Sequence, residues 1–248
     1  MGGKAGDPVT PTANNGAVAP GIDQNACKTL DDKNKAERAK LIKKLEKKEK
    51  AGTITQQQQQ ALDKARGSGM TVSSASSQVP GASGTFSASS SGVANAQCPS
   101  TFVEGGTGAQ KCGLNKKTRA SKAKKHEKKK DEAGVLCDKS YVHPGGGKGA
   151  HAEPKILNEM GKTSAMQGGS VLLSIDWRFR SEGETVESGM PCADCYNMLC
   201  HAAKECDIKI YICDMNKNPQ PLSKENCDDP NGYQNLSTRV DGGPRPGR

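Results

Sequence analysis

Aromatic side chains are scarce: one Trp, four Tyr and three Phe in 248 residues, or 3% of the chain. Hydrophobic residues of every kind make up only 33%. A chain this poor in large apolar groups lacks the material to order all its residues in one large domain. No run approaches the roughly 20 apolar residues that a membrane-spanning helix needs. The opening residues, Met1 to Pro8, lack the apolar stretch of a secretory signal peptide, so none is expected. Ten cysteines are too few, in a chain this long, for a disulfide-stapled miniprotein.

Positive charge is plentiful, with 36 Lys and Arg against 27 Asp and Glu, a net of +9. It is unevenly spread. Residues 1–133 hold 23 basic and 12 acidic side chains, net +11, whereas residues 134–248 hold 13 and 15, net −2. Six of the eight aromatic residues and seven of the ten cysteines fall in the second part. The packed domain is therefore expected at 134–248, behind a largely disordered N-terminal half that contains a short helical segment.

Within that half, residues 1–27 are rich in Gly, Pro, Asn and Thr and read as disordered. Residues 28–66 carry a helical pattern. Asp31 or Asp32 can cap it, and Leu41, Ile42 and Leu45 form a thin apolar stripe. Gly52 breaks it, and Thr55 can cap a second short helix through Ala65. So thin a stripe makes the helix marginal alone and suits docking on a partner. Residues 67–110, with 8 Gly and 11 Ser, read as a flexible linker.

The segment 111–133 is basic. Lys116, Lys117, Arg119, Lys122, Lys124, Lys125, Lys128, Lys129 and Lys130 are candidates to tether nucleic acid phosphates. An import signal or a solvated run reads equally well. No aromatic residue interleaves with these charges, so base stacking is not available there.

From residue 134 the pattern is strands, helix, strand, helix, strand: one or two short strands up to Val142, a helix from His151 to Met160, an apolar strand Ser170–Phe179, a helix Ala193–Cys206, and an alternating strand Ile208–Cys213. That order predicts an α/β domain with two parallel strands joined by a helical crossover. No element after Cys213 can be placed.

Two motifs open the two helices. One is His151-Ala152-Glu153; the other is Pro191-Cys192-Ala193-Asp194-Cys195. One imidazole and two thiolates suit Zn²⁺ with an open fourth position. A helix N-terminus favours thiolate over thiol. Glu153, two residues from His151, can reach a water on the ion without being a ligand. Other readings stay open: a redox pair, or a structural zinc site with Cys200, His201 or Cys206 as fourth ligand. Cys200, Cys206 and Cys213 fit better as small buried side chains.

H-A-E followed by P-C-x-x-C resembles the signature of the zinc-dependent cytidine deaminase-like superfamily. His151-Ala152-Glu153-Pro154-Lys155-Ile156-Leu157 further resembles the deaminase domains at the C-termini of bacterial polymorphic toxins. The resemblance implies a three-layer α/β/α domain with a mixed sheet over 134–248. It implies one Zn²⁺ per chain on His151, Cys192 and Cys195, and Glu153 as the acid–base catalyst of a hydrolytic deamination at C4 of cytosine or C6 of adenine. Ala152 would contact substrate through its backbone.

Tyr141 and His143 are candidate pocket residues, readable also as core and surface respectively. Trp177 reads as core. Lys148, Lys155, Arg178 and Arg180 are candidates for a local basic groove. The favoured substrate is cytosine in single-stranded nucleic acid, because the target atom must leave the stack. A free nucleoside or nucleotide is the alternative within the enzyme class, and a non-catalytic zinc interaction module the alternative outside it. A toxin implies a cognate immunity protein as partner and no membrane partner. It implies a protein held in the producer's cytoplasm, exported by a specialised system and active in a target cell.

Overall fold

The computed structural model of the chain describes residues 22–90, 101–103, 133–136, 139–142, 151–163 and 168–243. It is α/β. Strand β6 (Ser170–Ser181) runs through a seven-stranded mixed sheet and is buried on both faces over its first half. Helix α1 (Gln24–Lys50) lies on one face. Helices α3 (Ala152–Thr163) and α4 (Ala193–Glu205) lie on the other.

The side-chain alternation of β6 explains both contacts. Val171, Leu173 and Ile175 join Ile156, Leu157 and Met160 of α3 and Leu199, Ala202 and Ala203 of α4 in the main core. Leu172, on the opposite face, packs with Ile22, Cys27 and Leu30 at the start of α1. Further along that face Asn34 donates to the carbonyl and hydroxyl oxygens of Ser174, at 3.0 and 3.1 Å. The buried Arg38 pairs with Asp176 at 2.7 Å and also donates to the carbonyls of Ala65, Met70 and Asp176.

The sheet order is β3-β2-β1-β6-β8-β9, with β7 paired to the far end of β6. Here β1 is Thr71–Ser77, β2 Gly84–Ser89, β3 Thr101–Val103, β7 Glu184–Ser188, β8 Lys209–Cys213 and β9 Pro219–Leu222. Strands β6 and β8 pair in parallel, as the helical crossover through α4 predicts. The other pairings in this sheet are antiparallel. Strands β4 (Ala133–Leu136) and β5 (Lys139–Val142) form a separate two-stranded sheet. After β9 come α5 (Lys224–Asp228) and α6 (Gly232–Asp241), the latter closed by Gly242 in the left-handed conformation. No helix among the described residues is long and apolar enough to cross a membrane.

Several expectations are corrected. The stretch read as a Gly/Ser linker contributes β1 and β2, and β1 pairs with β6 along seven residues. Its serines are not linker serines. Ser74 and Ser87 share a 2.7 Å hydrogen bond beside Ser174, on the face that receives Asn34 of α1. Ala75, Phe86 and Ala88 face the main core. The helical segment is not an appendage either, because α1 docks on the sheet of its own chain. Helix α1 starts earlier than expected, capped by Asp23, whose carboxylate accepts from the Ala26 amide at 2.7 Å; Asp31 and Asp32 lie inside it. The disorder expected to residue 27 therefore does not hold for 22–27. Helix α2 (Gln56–Arg66) begins as expected, with Thr55 and Gln58 forming a capping box.

Cys200, Cys206 and Cys213 are buried, as expected, and each is in addition tied by a disulfide. Cys213 bonds to Cys27 across 186 residues, stapling β8 to α1. Cys200 bonds to Cys227, stapling α4 to α5. Cys206 is also disulfide-bonded. None of the three is a buried free thiol.

The boundary at residue 134 therefore cuts through one folded unit. A fragment of residues 134–248 would leave β6 without β1 on its edge and without α1 on its face. It is expected to lack the cooperative urea transition of the full chain, followed by far-UV circular dichroism. A cooperative transition in the fragment would contradict this.

Candidate metal centre and pocket

His151 immediately precedes α3, and Glu153 stands in its first turn. Ala152, Ile156, Leu157 and Met160 carry α3 into the core, which fixes the two polar residues at its exit. Cys192 caps α4 in an extended conformation, following Pro191, and its sulfur accepts from the Cys195 amide at 3.4 Å. The two helix starts meet. His151 Nδ1 lies 3.4 Å from Cys192 Sγ and 3.3 Å from Cys195 Sγ. All three ligand atoms fall within 4.8 Å of one another.

These distances suit a metal ion. A tetrahedral zinc with its usual Zn–S and Zn–N bond lengths sets sulfur and nitrogen about 3.6 Å apart. The observed spacings are slightly tighter than that.

Charge at the centre is also suited to a cation. A hydrogen bond from Cys195, aided by His151 and opposed by burial, brings the Cys192 thiol down to about 4, so it is a thiolate at neutral pH. The same thiolate, as hydrogen-bond partner, raises the pKa of His151. Cys195, bonded to the Cys192 sulfur and fully buried, is pushed far up and keeps its proton. Its thiol donates to Glu153 Oε2 at 3.5 Å. Burial raises the Glu153 carboxyl above the usual range. A divalent ion would take the place of the Cys195 proton, so its binding releases acid.

The fourth ligands that a structural zinc site would need do not join the cluster. Cys200 and Cys206 are committed to disulfides, and His201 is not part of the group that converges among the described residues. Cys192 and Cys195 are the free thiols of that part of the chain.

The centre opens into a pocket of about 150 Å³ lined by His151, Glu153, Cys192, Trp177, Gly69, Thr71 and Ser90. The last three come from the stretch read as a linker. They are held together: the Thr71 amide donates to Ser90 Oγ at 2.9 Å, the Ser90 amide to the Thr71 carbonyl at 2.8 Å, and the Gly69 amide to the Arg178 carbonyl at 2.7 Å. Trp177, read as core, packs on the core and lines this pocket as well. A signal for these walls does exist in the sequence. Residues 67–103 contain no charged side chain, in a chain that is 25% charged.

Of the other candidates, the Ala152 side chain is buried in the core, leaving only its backbone for contact. Tyr141 lies in β5, and its side chain is outside the described residues. His143, Lys148 and the lysines and arginine at 116–130 lie outside them as well. Lys155 does not line a basic groove, because it is 2% exposed and donates to the Ser89 carbonyl at 2.6 Å. Arg178 is engaged by Asp176 and Glu187. Comparisons with models of known protein families, with curated proteins and with solved structures return no match.

Lys155 yields a pH prediction. Burial lowers its pKa from 10.5 to about 8, against the pull of Glu153. Between those values the unfolded chain binds more protons than the folded one, so stability from this group rises with pH. Below that window both states are charged, and the desolvation cost is fully present. Wild type should therefore gain stability relative to Lys155→Met between about pH 8 and 10.5, read from urea midpoints. A gap between the two proteins that does not change with pH would contradict the assignment.

Proposed function

We propose that the chain is a zinc-dependent hydrolytic deaminase acting on a nucleobase, with cytosine in single-stranded nucleic acid as the favoured substrate, deployed as a bacterial toxin or effector. The observation that carries this is the convergence of His151, Cys192 and Cys195 beside a buried carboxyl, at the mouth of a pocket with an aromatic wall. A purely structural metal site needs neither a pocket nor Glu153.

His151, Cys192 and Cys195 would hold the zinc, which would supply an activated water as hydrolytic nucleophile at neutral pH. Glu153 would take a proton from the attacking water and deliver it to the ring nitrogen. It later carries the second proton to the departing amino group. A C–O bond replaces the C–N bond, water is consumed and ammonia leaves. Burial raises the Glu153 pKa, which makes its carboxylate a stronger base than an exposed one. Trp177 offers an aromatic face to a base, while Thr71 and Ser90 close the pocket beside it.

Disulfides persist in oxidising compartments, so Cys27–Cys213 and Cys200–Cys227 fit a chain that is exported from its producer. A cognate immunity protein would then protect the producer.

The test incubates the full chain with single-stranded DNA, single-stranded RNA and cytidine and measures released ammonia. Wild type is expected to deaminate at least one nucleic acid faster than cytidine. Glu153→Gln should lower that rate about 10²-fold or more while zinc content stays unchanged. Full activity in Glu153→Gln, or no ammonia from any substrate, would overturn the proposal.

A further inference from the structure

Cys192 is delivered by Ser188, the last residue of β7, and by Gly189–Pro191, which have no regular structure and lead into α4. Ser188, Met190 and Pro191 are all buried. The segment is gripped at both ends by α6. At one end Asp241, the last residue of α6, accepts from Ser188 Oγ at 2.6 Å and from the Gly189 amide at 2.9 Å. Ser188 Oγ in turn accepts from the Met190 amide at 2.9 Å. At the other end Tyr233, in the first turn of α6, donates to the Pro191 carbonyl at 3.2 Å. The two grips, Tyr233 and Asp241, stand about 12 Å apart along the helix, close to the reach of a three-residue extended segment. The segment therefore lies along α6 in the opposite direction.

Sideways movement is also blocked. A Cβ on Gly189 would meet the Cys213 carbonyl oxygen at 2.9 Å and Val240 Cγ1 at 3.0 Å, so the segment is wedged between β8 and α6. Helix α6 is itself tied to the helix that Cys192 begins. Tyr196 of α4 meets Tyr233 edge to face at 5.4 Å; the neighbouring α5 is tied to α4 as well, by the Tyr196 hydroxyl donating to the Asn226 carbonyl at 2.9 Å and by Cys200–Cys227.

We infer that Asp241 and Tyr233 are positioning residues for the metal centre: by holding Ser188–Pro191 against α6 they fix Cys192 Sγ where it can converge with His151 and Cys195. Neither touches a ligand atom. They act by removing the conformational freedom that the loop would otherwise regain in the metal-free protein, as partners in the outer shell of metal sites do. This rests on the metal reading of the centre and is independent of the reaction proposed for it.

Two near-isosteric variants test it. Tyr233→Phe removes one hydroxyl and keeps the ring on Tyr196. Asp241→Asn keeps the shape and removes the charge and one acceptor. Thr238→Ala is the control, because its exposed hydroxyl bonds only within α6, to the Gln234 carbonyl. Zinc affinity of the full chain is measured by competition with a chromophoric chelator, under conditions where circular dichroism shows each metal-free variant folded.

Tyr233→Phe and Asp241→Asn should each weaken zinc binding about tenfold or more, with Thr238→Ala unchanged. The cobalt-loaded variants should show a shifted visible band, since the geometry at Cys192 relaxes. Zinc binding within twofold of wild type in both variants would overturn the proposal, as would an equal loss in Thr238→Ala. A wild-type chain that binds no zinc would remove the metal reading and this proposal together. A chain that binds zinc tightly but releases no ammonia would sink the deaminase proposal and leave this one standing.

Discussion

Strand β6 must be covered on both faces, and most of the structure follows from that. Its main-core face carries Val171, Leu173 and Ile175; its other face carries Leu172, Ser174 and Asp176. The second face is polar enough that no ordinary apolar helix would suit it. Helix α1 answers it residue by residue, with Leu30 over Leu172, Asn34 over Ser174 and Arg38 over Asp176. A buried ion pair is stabilising only when its remaining donors are satisfied, and Arg38 places its other N–H groups on three carbonyls. Those carbonyls belong to the end of α2, the approach to β1, and β6. One side chain thus joins the N-terminal helices to the sheet and fixes the residues that lead into the pocket wall at Thr71.

The opposite face explains the chemistry. Helices α3 and α4 both bury small and branched side chains against the same strand face, which brings their N-termini to one end of the sheet. His151 and Glu153 arrive with one helix, Cys192 and Cys195 with the other. The resulting cluster holds a thiolate, a protonation-prone imidazole and a buried thiol in mutual contact, with a carboxyl kept out of water. Their ligand atoms lie close enough together to hold a divalent cation. The pocket is completed from the other half of the chain, by Gly69, Thr71 and Ser90, so the centre and its walls are far apart in sequence.

That separation is why some features were legible in the sequence and others were not. Helices α3 and α4 and strands β6 and β8 announce themselves by periodicity, and the two motifs sit where a helix must start. The metal-ligand set and the parallel β6–β8 pair follow from those alone. Strands β1 and β2 do not announce themselves, because most of their residues are Ser, Ala, Thr and Gly. Small residues that pack tightly have the same composition as a linker that does not pack. The total absence of charge from 67 to 103, in a chain that is 25% charged, is the discriminating signal. The aromatic count misled for the same reason: the β1–β2 side of the core is built from Ala75, Val79, Ala82 and Ala88. The Cys27–Cys213 pairing could not be read at all, because nothing local links residues 186 apart.

The central claim is a zinc ion held by one imidazole and two thiolates, with its remaining position open to water beside Glu153. Zinc K-edge X-ray absorption on the purified full chain reads that directly. The account predicts two sulfur neighbours at about 2.3 Å and two nitrogen or oxygen neighbours at about 2.0–2.1 Å. A shell of three or four sulfurs, or a protein that purifies and reconstitutes without stoichiometric zinc, would contradict it.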